Sequence, residues 1–479
     1  MDATPDTLDQ IIRQAGPGTT INLVPGTYGP LRISGIRVDP NRPIVIEGGG
    51  ATFNGRSTLA TFGPRAAEIA REVRRSGKYP GVYSIADEAA FTVEHCAGLV
   101  FRDIRFRDAW PTAVYINDCR DLVFDKLDGL GATFFIYAVG AATRRLTISD
   151  CHWQQDESKK VWSEVLWDDI HEKSDPEVAD NYKPARAYDG SFFCGVRIAG
   201  DVEIFRCHVE HAFNGVHLFN HDHDPKLARN VRVHECRFEF IKDNPIEPEH
   251  TACNWWIHDN WFFNAHKWFS MELLHAGWIY IYRNRGWFTE KPGPRGEDNN
   301  GGAVFKFPET AAQVGDYPGP IHVFNNSWYL RSPIVKEGAV RNFHHYNNAI
   351  AYCEQVPHDP RGACEDAGVF HNTAEPGAPP FTRDWRTLGI RFENDCVMHR
   401  DWPTDGYPIE RALKKDPKFI WTGDDRFKLS PGSPCRDKGV VITVPLPNGK
   451  AWTPPPKLNI GWDQDNRDVF SGLRYEPLR

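Results

Sequence analysis

Four residues could carry acid–base chemistry: His217, the pair Glu247-Pro248-Glu249, and Glu272. Each sits inside a short segment in which apolar residues flank it on alternate positions: VHL (216–218), IEP (246–248) and MEL (271–273). Alternation of period two makes each segment a strand, with the apolar residues inward and the ionisable one outward. Cleaving a glycosidic bond takes two carboxyl groups of unequal acidity, one to protonate the leaving oxygen and one to activate water or attack the anomeric carbon. Glu247 and Glu272 are the expected pair, with Glu249 and His217 assisting. Carboxylates crowded on neighbouring strands cannot all ionise freely, so one is expected to hold its proton and act as the acid. The same frame makes Thr92, Tyr115, Tyr137 and Arg197 outward on FTVEH, VYI, IYA and VRI, and adds Lys306 from VFKF. Arg197, Lys306 and Tyr137 are then expected substrate contacts, together with Trp256 and Trp268 as sugar-stacking rings and Asp243 and His275 at the edges of the acidic column. The run NHDHD (220–224) lacks helical ligand spacing and reads as a polar groove loop.

What must hold such a column is visible in a repeat. Segments such as LVFRDI (99–104), LTISDC (146–151), VRVHEC (231–236), WWIHDN (255–260), IYIYRN (279–284) and FHHYNN (343–348) share one pattern, broken only by His345. It reads apolar, any, apolar, any, any, then a closing residue. The closing positions Ile104, Leu127, Cys151, Cys207, Cys236, Asn260, Asn284, Asn326 and Asn348 are 22 to 24 residues apart in five of eight intervals, and longer where insertions intervene. A strand recurring at that period predicts a stack of coils, an all-β parallel β-helix treated as one domain over 1–479. The closing residues should form one inward ladder, with Cys151, Cys207 and Cys236 as buried free thiols; Cys353 and Cys364 are the best candidates for a bridge. Residues 7–15 predict a short helix closing the N-terminal end within a cap region 1–60. A second helix is expected over 64–76, a charged insertion over 154–190, loops over 289–302 and 354–379, and a C-terminal cap region over 380–479.

Composition narrows the partner. The chain has 479 residues, with 56 basic against 64 acidic for a net charge of −8, which disfavours nucleic acid as a general partner. No apolar run reaches the roughly 18 residues of a membrane span, so no membrane partner is expected.

The ends of the chain carry a resemblance. GTTINLVPGTYGPLRI (18–33) with PIVIEGGGATFNG (43–55), and DRFKLSPGSPCRDKG (425–439) with NIGWDQD (459–465), resemble the ends of right-handed parallel β-helix enzymes of the pectate-lyase-like superfamily, especially the alginate lyase and chondroitinase B family. That resemblance implies a right-handed single solenoid, a polysaccharide or oligosaccharide substrate, and a secreted or periplasmic enzyme whose signal peptide is not present in this chain. Glu247-Pro248-Glu249 resembles the family's calcium-binding pair. Asn254 stands where the family has a catalytic Lys, however, and Leu274 where it has an Arg. The expected reading is therefore a glycoside hydrolase without metal or cofactor. The alternatives are a uronate lyase or epimerase holding Ca²⁺ through Glu247, Glu249 and His217, and a non-catalytic glycan binder.

Overall fold

The computed structural model describes residues 1–76, 84–170, 184–220, 224–271, 273–288, 303–307, 319–330, 334–336, 340–352, 370–371, 389–398, 409–423, 426–465 and 467–478. The chain divides into two compact units, the first comprising Met1–Asn220 with Cys236–Glu247 and the second His221–Glu235, Pro248–Lys291 and Asn300–Arg479. The repeat predicts one domain over 1–479; both units share one plan of three parallel sheets.

In the first unit each coil visits the sheets in a fixed order. Arg120–Asp125 lies in the first sheet, Asp128–Leu130 in the second and Phe134–Val139 in the third, and the next coil repeats this with Arg144–Ser149, His152–Gln154 and Ser191–Val196. Every pairing between these successive coils is parallel and in step, as Leu122↔Leu146 and Phe124↔Ile148 show. Inward residues are apolar and fully enclosed, including Phe53, Phe91, Phe106, Phe135 and Trp153. Their rings stack from coil to coil; Phe101 and Phe124 lie 5.2 Å apart and nearly coplanar. The second unit repeats the plan, with His250–His258, Leu273–Tyr282, Ile321–Phe324 and Phe343–Tyr346 paired in parallel.

The inward ladder is present in both units. Cys151, Cys207 and Cys236 are buried free thiols in the first. In the second, Oδ1 of Asn284 accepts from the Asn260 backbone N–H and side-chain amide at 3.0 Å each, Asn326 does the same for Asn284, and Asn348 for Asn326. The ladder ends on Asp395, which accepts the Asn348 backbone N–H at 2.8 Å. His345, the apolar-position exception, points inward and holds Asp395 at 2.7 Å with neither side chain exposed beyond 2%. The pair of Cys353 and Cys364 lies outside the described residues; the nine described cysteines are free.

Two coverings lie on these frames. A helix over Leu59–Ser76, short helices at Val161–Glu164 and Trp167–Ile170, and the turn Pro184–Tyr188 pack Phe62, Ala66, Val161, Ile170 and Tyr188 over the outward side of the third sheet in the first unit. Arg186 pins this insertion, bonding the Ile170 carbonyl at 2.6 Å and Asp189 at 2.7 Å. In the second unit, Val444, Leu446, Trp452, Phe470 and Leu473 pack over the outward residues of the first sheet. The N-terminal helix is Leu8–Gln14, with Leu8 and Ile12 buried. No helix among the described residues is long and apolar enough to cross a membrane.

Candidate functional site

The outward row of the third sheet runs Thr92, Tyr115, Tyr137, Cys194, His217 in register. Arg197 is not in it. The VRI segment placed Arg197 outward, but the coil is set by Phe193, which aligns with Ile136 and Val216 in the core. Gly195 takes the next inward place because a Cβ there would meet Leu218 Cγ and Ile198 Cδ1 at 2.9 Å. Arg197 thus falls past the end of the strand at φ +55°, and Cys194 occupies its expected row.

Tyr137 keeps the predicted row but not the predicted role. It stacks on Tyr115 at 5.8 Å, is 5% exposed, and is covered by the helical insertion. Burial raises its pKa, so it is a neutral packing ring with no face for a sugar. The two expected stacking tryptophans are likewise enclosed. Trp256 lies under the C-terminal covering with its Nε1 donating to Asn254 Oδ1 at 2.7 Å. Trp268 is a core ring against Phe262, Phe288 and Trp328, its Nε1 bonded to the Ala265 carbonyl at 2.9 Å. A ring with no exposed face cannot stack on a substrate.

What the row does bring together is His217 and Glu247. His217 sits on Asn214–Phe219 and Glu247 on Ile246–Pro248. Val216 N–H donates to the Pro245 carbonyl at 2.8 Å and Gly215 N–H to that of Asn244 at 2.9 Å, which locks the coils in register just before the pair. His217 Nδ1 then stands 3.6 Å from Glu247 Oε2, with side-chain exposures of 9% and 6%. Phe219, on the same face two residues on, lies 4.7 Å from the imidazole. The pair therefore sits beside the apolar covering that includes Phe219 and Phe213, where a charge interaction is weakly screened.

Polar residues that sequence reasoning passed over lie at and near the ends of the two strands that carry the pair. Asn214, Asn220, Asn244 and Lys242 are buried. Asn214 Oδ1 accepts the Asn244 N–H at 2.8 Å, and Lys242 Nζ donates to the Trp162 carbonyl at 3.2 Å, tying this turn to the insertion. The signal was available: three Asn at the ends of two adjacent strands are unusual inside a core unless they bond backbone. Asp243 is half-buried in the same turn, its N–H on the Phe213 carbonyl at 2.9 Å.

The remaining expected residues are distributed as follows. Glu249 is half-buried between Ile246–Pro248 and His250–His258, in the second unit. Glu272 lies outside the described residues, as do 221–223 of the polar loop. His275 belongs to the first sheet, its backbone paired with Thr251, rather than to the third-sheet column; its side chain lies outside the described residues. Lys306 is half-buried and in register with Ser270. Asn254, at the family's Lys position, is a buried strut at φ +59°, donating to Asn230 Oδ1 and to the Glu476 carbonyl at 2.9 Å each.

No protein-family model and no curated protein matches the chain. Several solved structures are similar to it. A variant of the PL6 family alginate lyase AlyGC has a TM-score of 0.48 at 11% identity, covering 98% of this chain and 58% of that one. The complex of XylC with xylose has a TM-score of 0.44 at 10% identity, covering 97% and 98%. Pectate lyase Pel9A has a TM-score of 0.42 at 13% identity, covering 95% and 90%.

Proposed function

We propose that this protein cleaves glycosidic bonds in a polysaccharide or oligosaccharide as a glycoside hydrolase, with Glu247 as a proton donor or acceptor, His217 orienting it, and Glu272 as the second carboxyl group. The enclosed His217–Glu247 pair carries this reading. Among the outward carboxylates elsewhere in the first unit, Asp128, Glu210 and Glu239 face imidazoles but are more exposed than Glu247, and others are matched to guanidinium groups, as Asp121 with Arg145 at 2.5 Å, Asp150 with Arg206 at 2.7 Å and Glu94 with Arg32 at 2.6 Å. A guanidinium never releases its proton, so those pairs are structural. An imidazole exchanges a proton near neutrality, and an enclosed carboxyl group facing one is equipped for proton transfer. The expected chemistry needs no metal: imidazole is an unfavourable ligand for Ca²⁺, which prefers six to eight oxygens.

The deciding experiment is a glycan panel scored for new reducing ends and for the ultraviolet absorbance of an unsaturated sugar, with and without exhaustive EDTA treatment. Reducing ends without absorbance, insensitive to EDTA, is the expected result. Absorbance that EDTA abolishes and Ca²⁺ restores would replace the hydrolase by a lyase. No cleavage of any glycan that the protein binds would make it a binding protein.

A further inference from the structure

A second cluster of ionisable groups lies on the outward side of the second sheet, within the first unit. Asp128, His152, His208 and Arg237 form one row on successive strands, and Gln154, Glu210 and Glu239 fill the row two residues on. The His152 and His208 rings are 5.3 Å apart. His152 places Nδ1 3.0 Å from Asp128 Oδ1 and Nε2 3.0 Å from Glu210 Oε1, while His208 places Nε2 2.9 Å from Glu239 Oε2. Arg107 holds Asp128 from the other side, and Arg237 holds Glu239 at 2.7 Å.

One donor atom from each of His152, His208 and Glu210 falls within 4.8 Å of the others. Two features go beyond a ladder of surface charges. Nδ1 of His152 and Nε2 of His208 each face a carboxylate that is itself anchored by an arginine, which fixes the rings, and the second His152 nitrogen is turned toward Glu210, the third member of the donor set; metal-ligating histidines are held by such carboxylates. The three donors, two nitrogens and one oxygen, are also the kind of set that borderline divalent ions select, with the fourth position left to water. The side chains are 25–40% exposed, so an ion can reach them from solvent.

We propose that His152 through Nε2, His208 through Nδ1 and Glu210 bind a divalent transition-metal ion of the Zn²⁺ type, with Asp128 and Glu239 positioning the two rings.

The full-length protein, stripped with EDTA and dialysed free of it, is titrated with Zn²⁺ by calorimetry and melted with and without the ion. We expect one more equivalent bound by the wild type than by His208→Ala, and a rise in melting temperature that His208→Ala lacks. Asp128→Asn should keep the stoichiometry and weaken affinity by about 10- to 100-fold, the usual effect of removing a ring-orienting carboxylate. Unchanged stoichiometry and affinity in His208→Ala, or no saturable binding by the wild type, would overturn the proposal and leave the row as an ion ladder. Should His208→Ala fail to fold, Glu210→Gln gives the same comparison.

Discussion

Nδ1 of His217 lies 3.6 Å from Oε2 of Glu247, bridging adjacent coils of the third sheet. If Glu247 transfers the proton, Glu247→Gln should lower turnover by about a hundredfold or more, the size of a lost general acid or base. His217→Gln should also change the pH dependence of turnover, since it removes an imidazole beside the carboxyl group. Steady-state rates across pH on a cleaved glycan check both, and near-normal turnover in Glu247→Gln would remove it from the mechanism.

Gly215 sets the spacing of these coils. A Cβ at this position would stand 2.2 Å from the Pro245 carbonyl oxygen and 2.8 Å from Phe238 Cε1. Because the first contact is backbone, Gly215→Ala must push the His217 and Glu247 strands apart. A loss of about 1–3 kcal/mol is expected from overpacking, together with reduced turnover. Urea unfolding and activity should therefore fall together.

Asn284 occupies the middle of the amide ladder, accepting from Asn260 and donating to Ile257 and Asn326. Truncation to Ala strands the buried Asn260 N–H, and each such orphan costs about 1–3 kcal/mol. Asn284→Ala should destabilise by at least that much in denaturant titrations, whereas truncating an exposed residue such as Asn41 should do little.

Restoring the lysine of the resembled family should not restore its chemistry. Asn254 is fully buried and bonds Asn230, Trp256 and the Glu476 carbonyl. Asn254→Lys removes those bonds and encloses an ammonium group, so a stability loss of at least about 2 kcal/mol is expected, with no gain of lyase activity. A melting temperature equal to the wild type's would contradict this role.

The Asp128–His152 pair predicts a pH window. The hydrogen bond to His152 lowers Asp128 to about 2, and the reciprocal bond raises His152. The Asp128 contribution is present above its unfolded value of about 3.9 and is lost as pH falls through the folded one. The His152 contribution is full below about 6.5 and is lost as pH rises through its raised value. In chelator, the stability difference between wild type and His152→Asn should thus be largest between about pH 4 and 6.5. A difference that is flat with pH would show that the pair contributes nothing to folding.

The coil repeat was legible in the sequence because its cause is local. Apolar residues on alternate positions can be buried only by a strand, and an amide closing each copy can bond the backbone of the next. His217 and Glu247 were legible for the same reason, since the apolar neighbours of each fix which way it points. The last rung was missed: Asp395 closes the copy IRFEND (390–395), 47 residues after Asn348, with a carboxylate in place of the amide that closes the preceding copies. Only the tertiary structure decided which outward residues meet solvent. Tyr137 is covered by the helical insertion and Trp256 by residues 444–473, segments distant in sequence whose packing no strand period encodes. It also decided the frame at Arg197, where two alternations were written into neighbouring residues and the core accepted the one that buries Phe193.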